Sequence, residues 1–69
     1  MSVVDARGLS CPEPVLLTKR TLEKSDGAPV KVLVDEMAAA ENVAALAGSM
    51  GWQVTRKETG THMELVLKK

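Results

Sequence analysis

Cys11 is the only cysteine in the chain, and it lies in the turn-forming string Ser10-Cys11-Pro12-Glu13-Pro14. The thiolate is the nucleophilic form of cysteine, and a helix N-terminus or a neighbouring cation lowers the thiol pKa from its usual value of about 8.5. The string starts a helix, and it admits two cap registers. With Ser10 as N-cap, Ser10 and Glu13 have the spacing of a capping box, but Pro14 then falls where a helical N–H is needed. With Cys11 as N-cap, Pro12 takes the first helical position and Pro14 the third, so neither proline removes an intrahelical bond. The second register is preferred, and it sets the thiol at the positive end of the helix dipole. Pro12 and Pro14 donate nothing there, which leaves the Glu13 N–H as the partner. Arg7 offers a cation in the same turn, whereas the Glu13 carboxylate repels a thiolate, so the sign of the net shift stays open. A lone cysteine is more often a small buried hydrophobe. Its place at a loop-to-helix junction, among polar residues and prolines, brings a reactive thiol level with that reading.

Other chemistries fail on residue count. Dithiol exchange needs a second, resolving cysteine. Hydrolytic cysteine catalysis needs a base within reach of the thiol, and His62, the only histidine, reads as an ordinary strand-end residue. One cysteine and one histidine do not complete a tetrahedral zinc site. No metal and no cofactor are expected.

The elements that position Cys11 follow from hydrophobic periodicity. Ser2 to Ala6, with Val3 and Val4, reads as a strand closed by Arg7-Gly8. From Pro12 to about Lys24, Val15, Thr18 and Leu22 form one helical stripe with Leu16 beside it. Val30, Val32 and Val34 alternate with Lys31 and Leu33 as a strand. Asp35 then caps a second helix with the face Ala39, Val43, Leu46 and Met50, ended by Gly51. Trp52 to Lys57 and His62 to Lys68 alternate as strands around Thr59-Gly60-Thr61, which predicts a hairpin. The order β-α-β-α-β-β, with right-handed crossovers, predicts an α+β fold. It is a two-layer α/β sandwich whose four-stranded mixed sheet carries two helices on one face. Trp52 reads as core, and Met37, Met50 and Met63 as packing residues, with an exposed place beside the thiol open to Met37. Asp5 structures the turn before Gly8. Lys19 and Arg20 form a candidate docking rim near Cys11, against the plainer reading of a solvated helix face.

The 69 residues, 45% hydrophobic and 26% charged, fit one globular domain spanning 1–69. Nine Lys+Arg balance nine Asp+Glu, and aromatic residues make up only 1% of the chain, which argues against nucleic acid as a partner. No apolar run approaches a membrane span. Asp5 and Arg7 interrupt any signal-peptide pattern, so a reducing, cytoplasmic compartment is expected.

Asp5-Ala6-Arg7-Gly8-Leu9-Ser10-Cys11-Pro12-Glu13-Pro14-Val15, followed by Thr18-Lys19, closely resembles the signature of the TusA-like (SirA/YedF-like) sulfur-carrier family. The resemblance covers essentially the whole chain, including the element order. Residues Asp35 to Val43 look like the second segment of the YedF-type branch, which is associated with selenium metabolism. TusA itself has Asp-Pro where this chain has Asp35-Glu36-Met37, which loosens the link to TusA's own role in tRNA thiolation. The resemblance implies that Cys11 is a covalent carrier. It would accept a sulfane sulfur (or selenium) from a donor such as a cysteine desulfurase or a rhodanese-like protein, and pass it to an acceptor protein. Arg7, Gly8, Pro12, Glu13 and Pro14 are then the supporting motif. Such a protein is a sulfurtransferase only in the sense of a relay carrier. The alternatives are a regulatory or interaction module with a structural Cys11 and, on fold analogy alone, an RNA-binding domain.

Overall fold

The computed structural model describes residues 2–9 and 13–69. Six elements follow one another: β1 (Ser2–Asp5), α1 (Glu13–Lys24), β2 (Val30–Val34), α2 (Met37–Ser49), β3 (Gln53–Glu58) and β4 (Met63–Lys68). They form one four-stranded sheet in the order β1-β2-β4-β3. β1 runs parallel to β2, while β4 lies antiparallel to both β2 and β3. The expected α+β mixed sheet is therefore the observed one. No helix of the described residues is long and apolar enough to cross a membrane.

Strand alternation decides which face the helices cover. Val30, Val32 and Val34 are fully buried, as are Leu65 and Leu67 opposite them on β4, whereas Lys31 and Leu33 point to the open face. Trp52, which precedes β3, joins that core as expected, and Met50 and Met63 pack against it. From the helices, Thr18 and Leu22 of α1 close over the sheet, with Val15 half-buried. Leu16 is 48% exposed and stands off the stripe.

On α2 the buried face is Ala39, Ala40, Val43 and Ala47. Leu46 and Met50 of the expected face are only half-buried. Small residues let α2 sit close to its neighbours, so the contact turns towards its alanines and away from the longer side chains. Gly51 ends the helix in a left-handed conformation (φ 85°) that glycine adopts without a Cβ penalty. The N–H of Gly51 donates to the Gly48 carbonyl (3.1 Å) and that of Trp52 to the Ala47 carbonyl (2.9 Å). This is a Schellman closure, and it leads the chain directly into the buried Trp52.

One topological consequence matters for the site. β1, β2 and β3 all point the same way, so both crossover helices begin at the same end of the sheet. The segment after β1, the β2–α2 turn and the β3–β4 hairpin share that end.

Candidate functional site

β1 hands the chain to the motif through a short, tightly held turn. The Ala6 N–H donates to the Leu33 carbonyl (2.8 Å), one step beyond the last β1–β2 pair, and the Leu9 N–H donates to the Ala6 carbonyl (3.3 Å). Within this turn Asp5 accepts three bonds from Arg7: from its main-chain N–H (3.2 Å), its Nε (2.9 Å) and its Nη2 (2.9 Å). Asp5 thus structures the turn, as its position implied. The Arg7 guanidinium is the chief reason the Asp5 carboxyl falls to about 2, with the Arg7 main-chain bond next. The same pair raises Arg7 above its ordinary value, and the Asp35 charge adds to that. The cation expected to support a thiolate is therefore held in a bidentate ion pair.

Gly8 adopts a left-handed conformation (φ 79°), with open space where a Cβ would sit, so backbone geometry alone explains the glycine. Its N–H donates to Asp35 Oδ2 at 2.9 Å, across 27 residues of sequence. This corrects the expectation that Asp35 caps α2. Glu36 takes the N-cap position, in extended geometry (φ −127°, ψ 140°), and makes no side-chain cap bond. The Asp35 carboxylate reaches across the sheet end to the turn before the motif. Its partner is remote in sequence, so local cap spacing carries no sign of it.

Ser10, Cys11 and Pro12, and with them the choice of cap register, lie outside the described residues. Both flanks of that segment are anchored in the fold. Leu9 packs against the core, and Pro14 is fully buried at the start of α1. Glu13 is exposed in the first helical turn, where a carboxylate suits the dipole. Lys19 and Arg20 are exposed one turn further on.

Beside the turn, Asp35, Met37, Glu58, Gly60, Thr61, His62 and Met63 line an open cleft of about 320 Å3. Met37 is 60% exposed, so it is not the packing residue its pattern suggested, and its distance from the thiol lies outside the described residues. His62 Nδ1 lies 3.1 Å from Thr61 Oγ1, and its Nε2 lies 3.8 Å from Glu64 Oε1. Glu64 also pairs with Lys31 Nζ at 3.1 Å, and that ammonium chiefly holds the Glu64 carboxyl below its usual value. These contacts are those of a strand-end histidine. Among the described residues no group of three or more His, Cys, Asp or Glu side chains is arranged to hold a metal ion.

Comparison with known proteins agrees with this layout. Residues 2–69 match the family described as "Sulfurtransferase TusA". A Methanocaldococcus jannaschii protein named "Putative sulfur carrier protein" is 37% identical over 71 residues, covering 100% of this chain and 95% of that one. An Archaeoglobus fulgidus protein of the same name is 34% identical over 59 residues, covering 84% and 77%. The crystal structure of a SirA-like protein from Desulfitobacterium hafniense superposes with a TM-score of 0.89 at 31% identity, covering 99% of this chain and 96% of that one.

Proposed function

Because this chain belongs to the TusA sulfurtransferase family, we propose that it is a sulfur carrier whose Cys11 holds the cargo as a persulfide. The observation that carries this reading is that the only cysteine of a family member falls inside Gly8-Leu9-Ser10-Cys11-Pro12-Glu13-Pro14. The Cys11 thiolate attacks the outer sulfur of a donor R–S–SH. A new S–S bond forms on Cys11, the donor S–S bond breaks, and the donor leaves as R–S⁻. The product is Cys11–S–SH, with its proton retained on the outer sulfur. An acceptor thiolate R′–S⁻ then attacks that outer sulfur, forming R′–S–SH as the Cys11 S–S bond breaks and Cys11 leaves as thiolate. One S–S bond replaces another at each step, so no external oxidant and no second cysteine are needed.

The supporting motif is Arg7, Gly8, Pro12, Glu13 and Pro14 around Cys11, on one domain spanning residues 1–69. Donor and acceptor are proteins of a reducing, cytoplasmic compartment, the donor being a cysteine desulfurase or a rhodanese-like protein. Lys19 and Arg20, exposed on α1 one turn beyond the motif, belong to the docking face. Selenium is the second cargo, on the resemblance of residues 35–43 to the YedF-type branch.

The test is intact mass after incubation with a cysteine desulfurase and cysteine. The wild-type chain gains one sulfur, reductant removes it, and Cys11→Ser gains none. Selenocysteine in place of cysteine tests the selenium cargo in the same way. An unmodified wild-type mass beside a freely alkylatable thiol refutes the carrier.

A further inference from the structure

Both helices cover one face of the sheet, and no described element covers the other. Val4, Val32, Val54, Leu65 and Leu67 turn to the core, so strand alternation sends their neighbours along each strand to the open face. Pairing sets Val3 beside Lys31 and Lys31 beside Val66 in one row, and Leu33 beside Glu64 and Glu64 beside Lys57 in the next. A sheet face left to solvent ordinarily carries polar side chains. Here three neighbouring strands each place an aliphatic one on it: the exposed Val3 and the half-buried Leu33 and Val66.

Charge on this face is uneven. Its two carboxylates are already engaged, Glu64 by Lys31 Nζ at 3.1 Å and Asp5 by Arg7 Nε at 2.9 Å. The Lys31 bond chiefly holds the Glu64 carboxyl below its usual value, and the charges of His62 and Lys57 lower it further, so both groups stand within electrostatic reach of it. Lys57 and Lys68, exposed on β3 and β4, make no ion pair among the described residues. Once the engaged pairs cancel, these two ammonium groups are left over. The whole chain balances nine Lys+Arg against nine Asp+Glu, so the surplus belongs to this face. On the other side α2 carries Glu41 and no Lys or Arg.

We propose that the open sheet face docks an acidic, amphipathic segment of a partner protein, its aliphatic side chains on Val3, Leu33 and Val66 and its carboxylates on Lys57 and Lys68. The docking does not use Cys11 and does not rest on the carrier reading. Charge selects this occupant over the others. A second copy placed sheet to sheet would bring one surplus of cations against an equal one. Single-stranded nucleic acid binds on aromatic stacking platforms, and the only aromatic residue, Trp52, is buried in the core.

The test is an amide NMR titration of the isotope-labelled full chain with the peptide acetyl-Glu-Ser-Val-Ser-Glu-Ser-Val-Ser-Glu-amide, whose extended form puts glutamate and valine on one face. The amides of Lys31, Leu33, Lys57 and Val66 shift, those of α2 do not, and added salt weakens the binding. The same peptide with lysine in place of glutamate leaves the spectrum unchanged. The double variant Lys57→Glu/Lys68→Glu binds the acidic peptide at least about tenfold more weakly, with its Tm kept because both positions are exposed. No shift, shifts confined to other surfaces, or equal affinity in the double variant overturns the proposal. So does occupation of the face by phosphatidylserine vesicles or oligouridylate and not by the peptide, which assigns it to a membrane or to nucleic acid. A dimer of the chain alone by light scattering, abolished in the double variant, assigns it to a second copy and overturns the proposal equally.

Discussion

At the scale of single residues, the turn before Cys11 is built by two carboxylates with different tasks. Asp5 works locally and Asp35 at long range. The Asp5–Arg7 pair is exposed, so its energetic worth is small and salt-dependent, but its titration is distinctive. The Asp5 carboxyl falls to about 2 from an ordinary 3.8, chiefly because Arg7 bonds the charged form. A folded-state value below the unfolded one means that the pair's contribution is fully present above the unfolded pKa. It is lost as pH falls through the folded pKa. The window therefore lies between about 4 and about 2, well below neutral pH. Arg7→Ala should return the Asp5 midpoint towards 3.8, followed by NMR titration of its side-chain carbonyl. A midpoint still near 2 in that variant would assign the shift to some group other than the guanidinium. The Asp5 role was legible because its partner stands two residues away, within the reach of turn chemistry. The Asp35 role was not, because the amide it holds is on another strand's exit.

At the scale of elements, periodicity was read correctly wherever one face is buried and the other is not. Val30, Val32 and Val34 alternate strictly, and β2 is central in the sheet. The reading of α2 drifted because its buried face is made of alanines. Spacing rules weigh Leu46 and Met50 above Ala40 and Ala47, yet close packing selects the smaller residues. The missing cap on α2 carries the prediction at this scale. Glu36 already has the extended backbone of an N-cap, so a short hydroxyl side chain there can accept from the free N–H groups of the first turn. Glu36→Ser should stabilise the protein by about 1 kcal/mol. In a domain this small that is a rise in Tm of about 4–8 °C. Sulfur loading should be unchanged, because the substitution leaves the turn before Cys11 as it is. No rise in Tm by calorimetry would mean that the first-turn N–H groups already have partners.

At the scale of the whole molecule, the parallel course of β1, β2 and β3 was foreseeable from element order and crossover handedness. It brings both helix starts and the hairpin to the end where the motif lies. The turn at Gly8 and the start of α1 lie at that end of the sheet, and stability and sulfur loading should separate. Leu65 is fully buried at the centre of the sheet, paired with Val32 on one side and Arg56 on the other. Leu65→Ala should cost about 2–5 kcal/mol, against a total stability of about 3–10 kcal/mol at this chain length. The urea midpoint should therefore fall steeply. Among the described residues around the motif, Ala6, Leu9, Pro14 and Val15 lie in or against the core on the far side of the sheet end from Leu65's own strand pairs, so molecules that remain folded should load sulfur at nearly the wild-type rate. Urea denaturation and loading rates on wild type and Leu65→Ala, taken at a temperature where both are folded, test the separation. If Leu65→Ala slows loading per folded molecule markedly, sulfur transfer depends on the packing of the core, and stability and loading do not separate.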